Sequence, residues 1–264
     1  MKGRALLFGL NYAGSASELH GCVQDVTNVA AYLARVLAIP TKVCTTPADT
    51  TAVAMVRGLY ELALQSHSEA LTFAYIHYSG HGSSIVDVSG DERDGRDECL
   101  VPSDYATAGL LPDDLLERLF RNFNPKTRVV FVCDACHSGT MCDLRFGWDG
   151  PVCSVENKAC AVAARVLTLS GCLDDQTSAD AFNVLGDGKY SGALTSCLLQ
   201  VLAGKVRAPG AAETAATIAG DAAATRGDVF LMLARLTAAL QRGGFPQRPK
   251  LGSTYDLTRD RTFL

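Results

Sequence analysis

Runs of apolar residues alternate along the chain with segments in which apolar positions recur every three or four residues. Arg4 to Leu10, Leu71 to Tyr78 and Arg128 to Cys133 are short and almost continuously apolar, as buried strands are. Val23 to Leu37 and Thr50 to Gln65 instead repeat apolar residues at helical spacing. This alternation predicts an α/β fold, with a mostly parallel central sheet and helices on both faces.

The pattern resumes after Phe146 to Ala159, a stretch that contains Gly, Cys and Pro. It predicts a strand over Ala164 to Leu169, helices over Gly192 to Leu202 and Asp228 to Gln241, and a last strand near Lys250. The second part of the chain is therefore expected to extend the same sheet.

Charge and composition exclude two classes of partner. Lys and Arg number 24 against 28 acidic residues, a formal net charge of −4, and no basic stripe offers a surface to a nucleic-acid backbone. No apolar run approaches the roughly 20 residues that a membrane span needs, and the apolar stretch near Met1 is too short for a signal peptide. We therefore expect a cytoplasmic protein whose partners are proteins or peptides, with no nucleic acid and no membrane.

Cysteine is abundant, with ten residues in 264. Without an export signal these predict mostly buried free thiols rather than a disulfide framework. Cys133 and Cys136 form a C-x-x-C pair, but Cys142, Cys153 and Cys160 follow at irregular intervals, which disfavours structural zinc.

Reactive side chains follow two of the predicted strands, where the loops of a parallel sheet bind ligands. One strand end carries His81 between Gly80 and Gly82, and the other carries Cys136 before a glycine-containing turn. A cysteine attacks as the thiolate, and a nearby histidine takes its proton and later protonates the leaving amine. Cys136 and His81 are therefore the predicted nucleophile and base, and backbone N–H groups of the two turns are candidates for the oxyanion site. No G-x-S-x-G segment offers a serine nucleophile instead.

These two strand ends also carry a family resemblance. Segments 77–82 (His-Tyr-Ser-Gly-His-Gly) and 134–139 (Asp-Ala-Cys-His-Ser-Gly) resemble the catalytic motifs of metacaspases. Further resemblances to the same family lie at 19–26, 169–180 and 190–195. The resemblance implies a caspase-haemoglobinase fold in which Cys136 is the nucleophile and His81 the base. His77 is then expected to be a packing or polar-core residue, and Cys133 a buried strand residue.

The resemblance extends over nearly the whole chain and predicts a single catalytic domain, 1–264. Within it, 1–145 is similar to the large-subunit region, 146–163 to a connecting loop and 164–264 to the small-subunit region. The short connection, and a large-subunit-like region that begins at residue 1, resemble a type I core without its prodomain. Position 135, often Cys or Ser in the family, is Ala here, which leaves the catalytic roles unaffected.

The resemblance also implies a substrate pocket. Asp25 and Asp134 match carboxylates that metacaspases place around an Arg or Lys at P1, the residue before the cleaved bond, and Cys22 and Ser79 match neighbouring walls. Two carboxylates satisfy the planar donors of a guanidinium with charge-assisted hydrogen bonds. The alternative is that Asp25 caps a nearby helix start and Asp134 is an ordinary acid at a strand end.

Seven acidic residues lie between Asp87 and Asp104, opposed by only two arginines. Such a run is typical of a solvated loop, and its spacing does not match an EF-hand. The metacaspase resemblance points instead to calcium, an activating ion rather than a chemical participant. It implies a site formed by Asp97, Asp113, Asp114 and Asp143. Asp113 and Asp114 also begin a predicted helix, where acids stabilise the first turn.

The leading hypothesis is a calcium-dependent cysteine endopeptidase, cutting after Arg or Lys and acting as a monomer. The alternative is a non-enzymatic caspase-like scaffold that binds client proteins through the same cleft; Asp-specific or Asn-specific cleavage also remains open. Arg145, Lys158 and Arg165 lie in or beside the predicted connection, and self-cleavage is expected there, preferably at Lys158.

Overall fold

The computed structural model describes residues 1–87, 95–135, 142–171, 190–205 and 222–264, and the backbone of 180–182. Eight strands form its main sheet. In spatial order they are β2 (Thr41–Cys44), β1 (Gly3–Gly9), β3 (Phe73–Ser79), β7 (Arg128–Asp134), β10 (Arg165–Ser170), β13 (Lys250–Ser253), β8 (Phe146–Asp149) and β9 (Val152–Val155). The first five strands pair in parallel, and each of the last three pairs antiparallel with the strand before it in this order. This confirms the mostly parallel sheet.

Helices cover both faces of this sheet. They are α1 (Cys22–Val36), α2 (Ala52–Ser68), α3 (Tyr105–Ala108), α4 (Asp113–Phe120), α5 (Ala193–Leu202) and α6 (Val229–Arg242), and residues 222–227 are also helical. Alternate strand residues supply two cores, since successive side chains point to opposite faces. Ala5 and Leu7 pack with α1, α5 and α6, whereas Leu6 and Phe8 pack with α2 and α4. The continuously apolar strands are thus explained by burial on both sides.

Two smaller sheets lie outside the main one. The first is antiparallel and contains β4 (Gly82–Val86), β5 (Arg96–Leu100) and β6 (Leu111–Pro112). The second pairs β11 (Asp180–Phe182) with β12 (Tyr190–Gly192). The apolar pattern did not predict these short strands.

The segment predicted as a connecting loop, 146–163, contains the β8–β9 hairpin at the edge of the main sheet. Its turn passes through Gly150, whose φ of +55° favours glycine. Trp148 lies in the core, and its indole N–H donates to Ser253 Oγ at 2.8 Å. Gly and Pro around the turn indicated a loop, but Trp148 and the pairing with β13 make this segment part of the sheet.

Most of the described cysteines are buried free thiols, as the composition predicted. Six of the eight are buried, Cys133 among them, while Cys153 is exposed and Cys160 is partly buried. In the described ranges, no helix is both long and apolar enough to cross a bilayer.

Candidate active site

The carboxyl ends of β3 and β7 lie side by side, as the two predicted catalytic segments require. Ser79 is opposite Asp134 in the register, and the Gly80 N–H donates to the Asp134 carbonyl at 3.3 Å. His81 follows Gly80 directly and precedes β4. Cys136 lies two residues beyond Asp134, outside the described residues. The chain that carries the predicted nucleophile therefore leaves the sheet beside the turn that carries the predicted base.

His81 is partly buried and is held through its ring. Its Nε2 lies 2.7 Å from the carbonyl oxygen of Ser17, in the loop between β1 and α1. Because a carbonyl oxygen accepts only, Nε2 must carry the proton, and Nδ1 is then the basic nitrogen of the neutral ring. This tautomer suits a general base whose other nitrogen is fixed by a third group.

Tyr12 contacts His81 from the same loop, a contact that the apolar pattern did not predict. The two ring centroids are 4.7 Å apart, and the His81 backbone N–H donates to the Tyr12 hydroxyl at 3.1 Å. That hydroxyl donates to the Val101 carbonyl at 2.7 Å and lies 3.0 Å from the hydroxyl of Tyr78. Burial raises the pKa of Tyr12, so it remains a neutral donor and acceptor. Tyr12 also has a φ of +51°, an uncommon conformation for a residue other than Gly.

The predicted pocket residues come from three elements and meet at β12. Asp25, in the first turn of α1, accepts from Ser79 Oγ at 2.6 Å and from the Gly192 N–H at 2.9 Å. Asp134, at the end of β7, accepts at one oxygen from the N–H and the hydroxyl of Thr195, at 2.9 and 2.7 Å. Both carboxylates are almost wholly buried, at 0% and 3% exposure.

Gly192 lies between the two acids. A Cβ at this position would collide with the Asp134 carboxylate and would lie 2.8 Å from Asp25 Oδ2. The two carboxylates therefore approach the same point, and only the absence of a side chain at 192 leaves room for both. The resemblance includes segment 190–195, but no sequence signal predicts Gly192 or Thr195 as neighbours of the two acids.

Cys22, the fourth predicted pocket residue, is buried at the start of α1. It precedes Asp25 by three residues, so both lie on one face of the helix. That end of the helix packs closely on β1, since a Cβ at Gly9 would lie 2.5 Å from the Cys22 carbonyl oxygen. Glycine at the carboxyl end of β1 thus allows α1 to bring Cys22 and Asp25 to the sheet edge.

The predicted calcium ligands are distributed around the small antiparallel sheet. Asp97 is on β5, and Asp113 and Asp114 begin α4; Asp97 and Asp113 are buried. Asp143 is partly buried and has a φ of +46°. Asp113 and Asp114 lie in the first turn of α4, and Asp113 Oδ1 accepts from the Asp114 N–H at 3.1 Å.

The pKa values of two buried thiols near these acids, Cys99 and Cys142, are raised. Burial, followed by the charge on Asp113, raises the pKa of Cys99 to about 12. The same two causes raise the pKa of Cys142, and Asp143 adds to the effect there. Within the described ranges, no three acidic, His or Cys side chains lie together as metal ligands. Much of the acidic run, 88–94, is outside those ranges.

The mostly parallel eight-stranded sheet, with the carboxyl ends of β3 and β7 side by side, is that of the caspase-like class of α/β folds. A family model for the metacaspase peptidase C14 domain matches residues 3–145. The chain belongs to the metacaspase family of cysteine-type peptidases.

Curated relatives agree with this assignment. The chain is 36% identical over 152 residues to Metacaspase-1A of Neurospora crassa and to Metacaspase-1B of Aspergillus oryzae. These matches cover 54% of this chain but only 33% and 36% of the relatives, so the matched segment spans about a third of their length. A crystal structure of a protein from Geobacter sulfurreducens aligns over 99% of this chain and 97% of its own, at 25% identity and a TM-score of 0.64. The fold is therefore shared along the whole chain.

Replacing Tyr12 with Phe should lower kcat for peptide hydrolysis by about 10-fold and leave KM nearly unchanged. The phenyl ring still packs on His81, but the His81 N–H loses its acceptor, a loss worth about 1–3 kcal/mol when buried. Steady-state kinetics against a fluorogenic peptide measure this change. Tyr12→Leu, which removes the ring contact as well, should lose more; wild-type kcat in both variants would show that Tyr12 does not position the histidine.

Proposed function

We propose that this chain is a calcium-dependent endopeptidase that cleaves peptide bonds after Arg or Lys through Cys136 and His81. The observation that carries the proposal is the convergence of the Asp25 and Asp134 carboxylates on Gly192. Two acids at one point offer oxygen acceptors to a guanidinium or an ammonium, and they repel the carboxylate of an acidic P1 side chain. The same geometry argues against cleavage after Asp.

In the proposed reaction, His81 Nδ1 takes the proton of the Cys136 thiol while its Nε2–H stays on the Ser17 carbonyl. The thiolate attacks the carbonyl carbon of the P1 residue, and backbone N–H groups near Gly82 and after Cys136 stabilise the oxyanion. His81 then gives its proton to the leaving amine, which leaves an acyl-enzyme. Water, deprotonated by His81, hydrolyses the thioester and restores the thiol.

A panel of peptides with Arg, Lys, Asp or Asn at P1 tests the specificity, each assayed with calcium and after chelation. We expect turnover of the Arg and Lys peptides alone, and only with calcium. Preferential cleavage of the Asp or Asn peptides would refute the assignment of the pocket. Absence of cleavage for every peptide in every condition would favour the scaffold alternative.

The proposed calcium site is supported by the chemistry of its donors. Asp97, Asp113, Asp114 and Asp143 offer carboxylate oxygens, which are the hard ligands that Ca²⁺ prefers. Asp97 and Asp113 are buried, and after burial the charge on Asp113 is the next cause that raises the pKa of Cys99 and of Cys142. A bound ion would supply positive charge to these acids. Asp143 would connect the bound ion to the nucleophile, because it follows Cys136 by only seven residues.

Replacing Asp143 with Ala should raise the calcium concentration needed for half-maximal activity by at least about 10-fold. An ion shifts a conformational equilibrium only through its different affinity for the two states, so a weaker site needs more of it. Titration of activity with calcium after chelator treatment, with calorimetry of binding, measures the shift. Asp149→Ala, on the exposed end of β8, is a matched control that should not change it. An unchanged calcium dependence in Asp143→Ala would separate this acid from activation.

We further propose that the segment between the large-subunit-like region, 1–145, and the small-subunit-like region, 164–264, is nicked by the enzyme itself. Lys158 is exposed in a turn between β9 and β10, whereas Arg165 is the first residue of β10 and forms an ion pair with Asp260. Lys158 is thus the more accessible cleavage point. We propose that the active species is a monomer.

A further inference from the structure

Thr195 connects Asp134, a predicted acid of the pocket for the P1 side chain, to the buried His77. Thr195 is the third residue of α5 and is fully buried. Its N–H and its hydroxyl both reach Asp134 Oδ2, at 2.9 and 2.7 Å. Its hydroxyl oxygen also lies 3.2 Å from His77 Nε2. A chain of hydrogen bonds therefore runs from β3, through the start of α5, to the end of β7.

The direction of this chain follows from donor and acceptor chemistry. The Thr195 hydroxyl gives its single hydrogen to the carboxylate, so at the contact with His77 its oxygen must accept. His77 Nε2 therefore carries the proton. The ring is fully buried, and burial lowers its pKa to about 3, which keeps it neutral. Its Nδ1 is buried and has no hydrogen-bond partner among the described residues, as this neutral tautomer allows.

We infer that Thr195 and His77 are positioning residues that set the orientation of the Asp134 carboxylate for recognition of a P1 cation. This inference rests on the proposed Arg and Lys specificity. Two donors on one oxygen restrict rotation of the carboxylate about its Cα–Cβ and Cβ–Cγ bonds. His77 in turn restricts the Thr195 hydroxyl, because an accepted hydrogen bond fixes where the hydroxyl hydrogen points.

The proposed role separates the two histidines of the segment 77–82. His81 is partly exposed and its ring contacts Ser17 and Tyr12, whereas His77 contacts the specificity pocket through Thr195. His77 lies within β3, whereas His81 lies in the turn between β3 and β4. Because side chains alternate along a strand, positions 77 and 79 share a face of β3. That face carries Ser79, which donates to Asp25. Two side chains of β3 thus support the two pocket acids, one acid each.

The test is a comparison of Thr195→Val with Thr195→Ser. Valine keeps the shape of threonine but removes the hydroxyl, so Asp134 loses one of the two donors that Thr195 supplies and the His77 N–H loses its acceptor. We expect KM for a P1-Arg peptide to rise by about 10- to 100-fold, with a smaller fall in kcat. The inhibition constant of arginine amide, a competitive inhibitor that resembles the P1 residue alone, should rise by the same factor. Serine restores the hydroxyl and should return KM to within about 3-fold of wild type.

His77→Phe gives an independent measurement, since it keeps an aromatic ring at this position and removes the donor at Nε2 together with Nδ1, which has no hydrogen-bond partner among the described residues. It should raise KM for the Arg peptide in the same direction and by less. If Thr195→Val fails to fold, judged by thermal unfolding, Thr195→Ala and His77→Phe carry the test. Wild-type KM and inhibition in these variants, with wild-type preference for Arg and Lys intact, would overturn the inference alone. A wild-type enzyme without that preference would overturn the proposed specificity, and the inference with it.

Discussion

Cys136→Ala should reduce peptide hydrolysis to the background rate, a loss of at least about 1000-fold in kcat, with little change in stability. The variant removes the only atom proposed to form a covalent bond to substrate. His81→Ala should lose nearly as much, because nucleophile and base act as a unit and their effects do not add. Active-site titration and single-turnover assays with calcium present measure both losses.

The chain offers a matched control for each variant. Cys133 lies three residues before Cys136 but is buried in β7, so Cys133→Ala should cost stability and retain turnover. His77 lies four residues before His81 and is buried, and its replacement should affect KM and stability more than kcat. Substantial turnover in Cys136→Ala would remove this cysteine from the mechanism. A larger fall in kcat for His77 variants than for His81→Ala would show that His81 is not the base.

Cys136→Ala also tests self-cleavage. After calcium addition, the wild type should split at Lys158 and Cys136→Ala should keep its intact mass, as mass spectrometry would show. Equal intact masses for the two proteins would argue against self-cleavage.

Buried strands were the most predictable part of the fold. The runs near β1, β3 and β7 are apolar at nearly every position because both faces of the sheet are covered, and that pattern is readable over seven residues. The short strands β4, β6 and β12 lack such a run. They form because hairpin pairing and contacts with distant elements stabilise them, and a local pattern does not record those contacts.

The contacts of the candidate site were also predictable only in part. The topology brings together any side chains that follow neighbouring parallel strands, so Ser79 and Asp134 were predictable as neighbours. Tyr12 contacts His81 across 69 residues of sequence, and Thr195 contacts Asp134 across 61. Neither residue type is diagnostic of chemistry by itself. Tertiary packing alone gives them their positions, and sequence spacing therefore contained no signal for them.

Asp134→Asn and Asp25→Asn should each lower kcat/KM for Arg and Lys peptides by about 10- to 1000-fold, which corresponds to roughly 1.4 to 4 kcal/mol. Asn has nearly the same size and still accepts at one oxygen, so the variant removes charge with little change in shape. The attraction of a buried carboxylate for a P1 cation is then lost. Kinetics over the four P1 peptides measure the change, and neither variant should gain cleavage after Asp.

Gly192→Ala is the matched steric control, since it leaves both charges in place and adds one methyl group where the two carboxylates meet. The added Cβ would collide with Asp134 and crowd Asp25, so the acids must move apart and Arg cleavage should fall by a similar factor. Gly150→Ala, in the β8–β9 turn, introduces the same methyl group with open space around it and should cost stability through its positive φ without changing specificity. If Asp25→Asn and Gly192→Ala both leave Arg cleavage untouched, Asp25 serves only to bind Ser79 and Gly192 within the fold. Asp134 would then have to recognise the P1 cation alone.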